Sequence, residues 1–169
     1  QSCALFSVTD DMQNVVLEAG YPDSLSLHGI GKSFPVTSEP SFEVILGLKY
    51  PEKDTPYEII TSSYVLVTDP QKSSLVSLNT KSLSLIRNIN SILYIPMRSG
   101  EFVTHFITVD AVDQRKGYSP EEIEIFLFLG RELMKAQRME RLDDILHDFK
   151  NPAIATAGFA RRLHSLLEK

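Results

Sequence analysis

The chain of 169 residues has one cysteine, Cys3, so it can form no internal disulfide and cannot build a four-cysteine metal site. That usage fits a reducing compartment. It has no excess of positive charge. Lys and Arg number 17 against 22 Asp and Glu, a formal net charge of -5, so no nucleic-acid partner is expected. It has no apolar run near the roughly 18 residues that span a bilayer. The longest candidate, residues 123–129, is interrupted by Glu124, and no membrane segment is expected within the chain. Internal repeats and low-complexity stretches are absent, and the histidines show no metal-ligand spacing, so no metal is expected. The chain opens at Gln1 without an initiator Met, signal peptide or leading helix. It is therefore read as a piece of a larger protein, which leaves room for an anchor upstream.

What is present is an ordinary globular composition, 43% hydrophobic and 23% charged, long enough for one domain with a core and an extra element. Residues 3–8 and 14–19 are short apolar runs around the polar turn Thr9-Asp10-Asp11, which predicts a hairpin. Residues 20–42, rich in Gly, Pro and Ser, read as an irregular connection. Residues 42–49 fit a short helix or a strand equally. Residues 64–67 read as a strand and 79–88 as helical. The runs 91–95 and 102–109, joined by Arg98-Ser99-Gly100-Glu101, form the clearest hairpin pattern in the chain. Strands followed by a long helical tail predict an α+β arrangement, an antiparallel sheet flanked by helices.

The final third changes character. Ser119-Pro120-Glu121-Glu122 carries a capping serine, a proline suited to the first helical position and a glutamate three after the cap. Apolar residues recur at Leu129, Leu133 and Ala136. A second frame follows at Leu142, Leu146, Phe149, Ala153, Thr156, Ala160, Leu163 and Leu167, spaced alternately four and three. Apart from Thr156 this is a heptad seam, which predicts a long C-terminal coiled-coil helix and a homodimer through it. The two frames do not join smoothly across 136–142, a candidate bistable element in a signalling helix.

The chemistry lies in His147-Asp148-Phe149-Lys150-Asn151-Pro152. His147, Lys150 and Asn151 stand at i, i+3 and i+4 and share one helix face, while Leu146 and Phe149 point into the seam. An imidazole, a cation and an amide on one face suit phosphoryl chemistry: a nucleophile, a group to steady phosphate charge and a group to orient water. Pro152 inside a helix removes a hydrogen bond and bends it. A solitary helical histidine is ordinarily a surface residue, but this setting is different. The hexapeptide resembles the H-box of sensor histidine kinases, and the match extends over about 140–165. The resemblance implies that His147 accepts the γ-phosphoryl group of ATP, that Asp148 is general base and that Asn151 positions water for phosphatase chemistry. Lys150 is a further candidate phosphate contact. Ala153 departs from the family's usual Leu. No glycine-rich ATP lid follows, so ATP and Mg belong to a kinase domain outside this chain, and the chain alone is expected to be inactive. A response regulator receiver domain is the implied partner.

Upstream, Ile89 to Met97, the partner run 102–109 and Tyr118-Ser119-Pro120-Glu121-Glu122 resemble a GAF domain, over about residues 3–138. The family's first helix is absent, and a PAS domain is the competing sensor fold. The resulting division is 1–118 as GAF-like sensor, 119–140 as exit helix and 141–169 as the first helix of the dimerisation and phosphoacceptor domain. Gly29-Ile30-Gly31-Lys32-Ser33 lacks the earlier glycine of a phosphate loop, since Ser26 stands there, and reads as a loop. Cys3 is in the wrong place for a bilin adduct, and His28 and His105 read as surface or core residues rather than haem ligands. Residues 113–118 lack the signature of cyclic-nucleotide GAF domains. The sensor ligand, a small molecule if there is one, is left unidentified. The reading is a cytoplasmic sensor controlling a histidine kinase. The alternative is a non-enzymatic GAF or PAS-like binding and dimerisation module with a coiled-coil tail; a phosphodiesterase or cyclase fails to explain residues 147–152.

Overall fold

The computed structural model describes residues 2–22, 29–50, 55–137 and 139. The expected first hairpin is present as β1 (Ser2–Val8) and β2 (Asn14–Tyr21), paired antiparallel. Its longer turn is closed by Thr9, whose hydroxyl donates to Asp11 Oδ1 at 2.6 Å and accepts from the Asn14 amide at 3.0 Å. Then come β3 (Ser33–Pro35), a single 3-10 turn (Val36–Ser38), α1 (Pro40–Ile45), β4 (Glu58–Ile60) and β5 (Val65–Val67). Helix α2 (Leu78–Ile86), the long hairpin β6 (Ile89–Ser99) and β7 (Phe102–Val112), and a helix from residue 120 complete the described chain. Residues up to Arg131 form one compact unit; within it the last helix, α3, covers 120–131. Residues 132–137, in the second unit, are also helical, with Lys135 Nζ 2.7 Å from Glu132 Oε1.

The strands form one seven-stranded sheet in the order β3-β2-β1-β7-β6-β5-β4, antiparallel at every neighbour. Chain-distant β1 and β7 thus meet at the centre, with Ser2, Ala4 and Phe6 opposite Asp110, Thr108 and Phe106. Two expectations are refined. The irregular 20–42 segment contains β3, an edge strand of three residues, too short for alternation to declare it. The ambiguous 42–49 run is helical only to Ile45: Pro40 opens it, and Gly47, at φ 73°, adopts the left-handed conformation that ends it. The strand β4 was not expected.

Both faces of the sheet are covered, which is why β6 reads as a continuous apolar run. Ile92 and Tyr94 join a core with Phe106, Val15, Val36, Val44 and Ile45. Leu93 and Ile95 point the other way and pack with Val109 and with Ile123, Phe126 and Leu127 of α3. The capping box forms as the sequence predicts: the Ser119 amide donates to Glu122 Oε2 at 2.9 Å and the Glu122 amide to Ser119 Oγ at 3.3 Å. Tyr118 ties the helix start to the sheet by donating its hydroxyl to the Val109 carbonyl at 2.8 Å. Arg115 adds an ion pair to Glu122 at 2.6 Å. Leu129, expected in an apolar frame, is 48% exposed and lies off the packed face with Ile125 and Phe128.

Candidate functional site

A cavity of about 910 Å³ opens on the α2 side of the sheet. Its origin is a contrast across β7. On the β6 side, Ile92 and Tyr94 stand beside Asp110 and Thr108 and fill the core. On the β1 side the same rungs carry Ser2 and Ala4, and Gly20 of β2 lies next to Ala4, so small residues leave the space empty. Phe6 closes one end, stacked on Phe106 at a 5.0 Å ring separation, with Phe42 at 5.7 Å and Phe34 edge-on at 6.4 Å. Offset and edge contacts of this kind hold aromatic rings in fixed orientations. A smaller recess of about 160 Å³, lined in part by Tyr94, Ser84 and Ile92, shares Phe6, Asp110 and Arg87 with the main cavity.

Helix α2 forms one wall and is unusually light in buried apolar groups. Among its residues only Ser84 is buried, whereas Leu78, Leu85 and Ile86 are exposed. Polar bonds at its N-terminus hold it. Ser77 caps it, accepting from the Thr80 amide at 3.3 Å. The buried Glu39 accepts from the Ser77 amide at 2.8 Å and from the hydroxyls of Ser77 and Thr80 at 2.7 and 2.5 Å. A carboxylate suits that place, where the helix presents unpaired amides and its positive end.

The other acid in the wall is Asp110. One oxygen accepts from Ser2 Oγ at 2.5 Å. Burial pushes its carboxyl above the ordinary carboxylate range, against the smaller opposing effects of the Ser2 hydrogen bond and the Arg87 charge. Arg87, the C-cap of α2, lines the same cavity and takes part in no ion pair among the described residues. The wall thus holds Asp110 and Arg87, opposite charges that sense each other without contact, with Lys32 as a further cation in the lining, over a mostly apolar floor.

His147, Asp148, Lys150 and Asn151, with the heptad seam, the 136–142 frame break and His28, lie outside or at the limit of the described residues. His105 is buried in β7, with Nδ1 3.1 Å from Thr104 Oγ1, and does not line the cavity. No cluster of His, Cys, Asp and Glu able to hold a metal occurs among the described residues. The Gly29 to Ser33 segment is a turn in which the Gly31 amide donates to the Leu17 carbonyl at 2.7 Å, and it enters strand β3 rather than a helix. Its loop reading stands, and Gly29 and Lys32 prove to be cavity residues. Sequence reasoning missed Asp110, Arg87 and Glu39, whose grouping depends on strand and helix placement. No helix among the described residues is long and apolar enough to cross a membrane.

No protein-family model matches the sequence, and no curated protein matches it. Solved structures share its fold. A GAF domain/HD domain protein from Geobacter sulfurreducens superposes with a TM-score of 0.63 at 15% identity, over 83% of this chain and 82% of that one. The GAF domain of a two-component sensor histidine kinase from Bacillus halodurans gives 0.61 at 13% identity, over 84% of each chain. The GAF domain from a phosphoenolpyruvate-protein phosphotransferase of Coxiella burnetii gives 0.61 at 14% identity, over 84% of this chain and 74% of that one. The chain therefore has a GAF-like fold, a seven-stranded antiparallel sheet with a few helices. At these identities the likeness is one of fold.

Proposed function

We propose that this chain is the sensory and dimerising part of a two-component sensor histidine kinase. A small molecule occupies the cavity of the GAF-like unit, residues 119–140 relay its presence, and 141–169 begin the dimerisation and phosphoacceptor domain. The observation that carries the reading is His147-Asp148-Phe149-Lys150-Asn151-Pro152 downstream of a GAF-like fold. In the reaction, one ring nitrogen of His147 forms a bond to the γ-phosphorus of Mg-ATP. The bond from that phosphorus to the β,γ-bridging oxygen breaks, and ADP leaves with the electron pair. Asp148 takes the proton from the other ring nitrogen, and Lys150 steadies charge on the transferred group. The phosphoryl group then passes to a carboxylate of a receiver domain, and Asn151 orients water for its later removal. ATP and Mg are held by a kinase domain outside this chain, and the assembly works in the cytoplasm.

The exposed apolar residues of α3 support dimerisation. Ile125, Phe128 and Leu129 lie off the packed face of α3, and a separate heptad seam follows downstream in the sequence. A second reading, a non-enzymatic ligand-binding and dimerisation module, draws on the same fold's occurrence in proteins named as phosphotransferase and HD-domain proteins. One experiment separates the two. The chain is mixed with the ATP-binding domain of the longer protein this reading implies and with radiolabelled ATP, beside His147→Gln. Acid-labile, base-stable label on the wild type alone is expected. Absence of label on a folded dimer would overturn the kinase reading in favour of the module.

A further inference from the structure

We propose that the cavity is a receptor site for a small zwitterion, an amino-carboxylate with an apolar body, whose ammonium group meets Asp110 and whose carboxylate meets Arg87. The proposal rests on the sensor reading above and names the ligand class for its site.

Asp110 and Arg87 sort the possible ligands, and Lys32, a second cation in the lining, adds to the attraction for a carboxylate. Glu39 is unavailable, since both its oxygens are engaged by Ser77 and Thr80. Asp110 spends one oxygen on Ser2 and lines the cavity. Arg87 lines it too, with no ion pair among the described residues. A simple cation would satisfy Asp110 and bring a like charge toward Arg87. A simple anion would satisfy Arg87 and bring a like charge toward Asp110. A molecule that carries both charges close together satisfies both and leaves no net charge in an apolar space, which burial otherwise makes costly. Phe6, Phe34 and Phe42 offer ring surface for an apolar body, and their faces also favour a nearby ammonium. The cavity's 910 Å³ lies within the span of small-molecule sites, roughly 300–1,000 Å³. Burial of Asp110 works against its ionisation in the empty protein, so the carboxyl costs the fold stability that an entering cation would return.

The test uses the whole chain. Each standard amino acid is screened by thermal shift. The best is compared by calorimetry with the amine lacking its carboxylate and the acid lacking its ammonium. For leucine these are isoamylamine and 4-methylpentanoate. The amino acid is expected to bind at least about tenfold more tightly than either. Arg87→Gln should erase its advantage over the amine, and Asp110→Asn its advantage over the acid. Arg87 is exposed, so its variant keeps the fold and tests the carboxylate contact independently of the Asp110 variant. Binding by no amino acid, equal binding of the amine, or an advantage that survives Arg87→Gln would each overturn the proposal. The kinase reading is scored separately by label on His147. Label without binding removes this site alone, and binding without label removes the kinase alone.

Discussion

At Glu39 both carboxylate oxygens are saturated by Ser77 and Thr80, whereas Asp110 keeps one oxygen on Ser2 and the rest of its coordination open to the cavity. The two acids should therefore respond oppositely to removal. Glu39 is 6% exposed, and truncating it strands half-buried donors at the start of α2. Glu39→Ala should cost about 2 kcal/mol, since bonds to a charged group are worth about 1.5–3 kcal/mol and unsatisfied donors add to the loss. Urea unfolding would read it, and Glu39→Gln, which keeps one acceptor oxygen, should lose less. Asp110 goes the other way. Because its folded-state value is raised, its contribution is fully present below the ordinary value of 3.8 and is lost as pH rises through the raised value. Tyr94 and Tyr118, which sense Asp110 as Arg87 and the amino terminus do, are pushed up by burial and stay neutral in this window. Asp110→Asn should melt higher than wild type near pH 7, a gap that closes as pH falls toward 3.8. A gap unchanged with pH would mean that its carboxyl is not strained by burial.

Among the elements, length decided what could be read from the sequence. The β6–β7 hairpin was legible because each strand runs 11 residues and Gly100, at φ 66°, turns the chain between them. The capping box opening α3 was legible because it is a local rule written in four residues. Strands β3 and β4, three residues each, offer no periodicity to read. The cavity was illegible for another reason. It exists because Ser2 faces Asp110 and Ala4 faces Thr108, pairings set by β1 inserting beside β7 across most of the chain. Gly130 makes a finer test of how α3 sits on its sheet. A methyl group there would lie 3.4 Å from Ile95 Cγ2 and 4.0 Å from Met97 Cγ, ends of side chains that can yield slightly. Helix propensity favours Ala over Gly by about 1 kcal/mol, which outweighs so slight a crowding. Gly130→Ala should therefore be neutral or stabilising by up to about 1 kcal/mol, and Gly130→Leu should destabilise by about 1–3 kcal/mol. Thermal unfolding of the pair would show it, and a large loss with Ala would mean that the sheet beneath is rigid.

For the whole molecule, the question is what covers the outer side of α3. Ile123, Phe126 and Leu127 are spent on the sheet, yet Ile125, Phe128 and Leu129 remain 58%, 53% and 48% exposed. Three large apolar side chains within five residues form a cluster of the sort that marks an interaction surface. A second copy of the chain is the occupant that the sequence favours. A heptad seam is expected from Leu142 in the same chain, and coiled-coil pairing of that seam would join two copies. Sedimentation of the wild type at about 10 μM should then report a dimer, and Ile125→Glu combined with Leu129→Glu should weaken it toward monomer. Both positions lie off the packed face, so the circular dichroism of the sheet and binding in the cavity should survive the change. A wild type that sediments as a monomer would remove the dimeric kinase reading at its base. A dimer indifferent to the double substitution would place the contact on the downstream seam alone and leave the outer side of α3 to another partner.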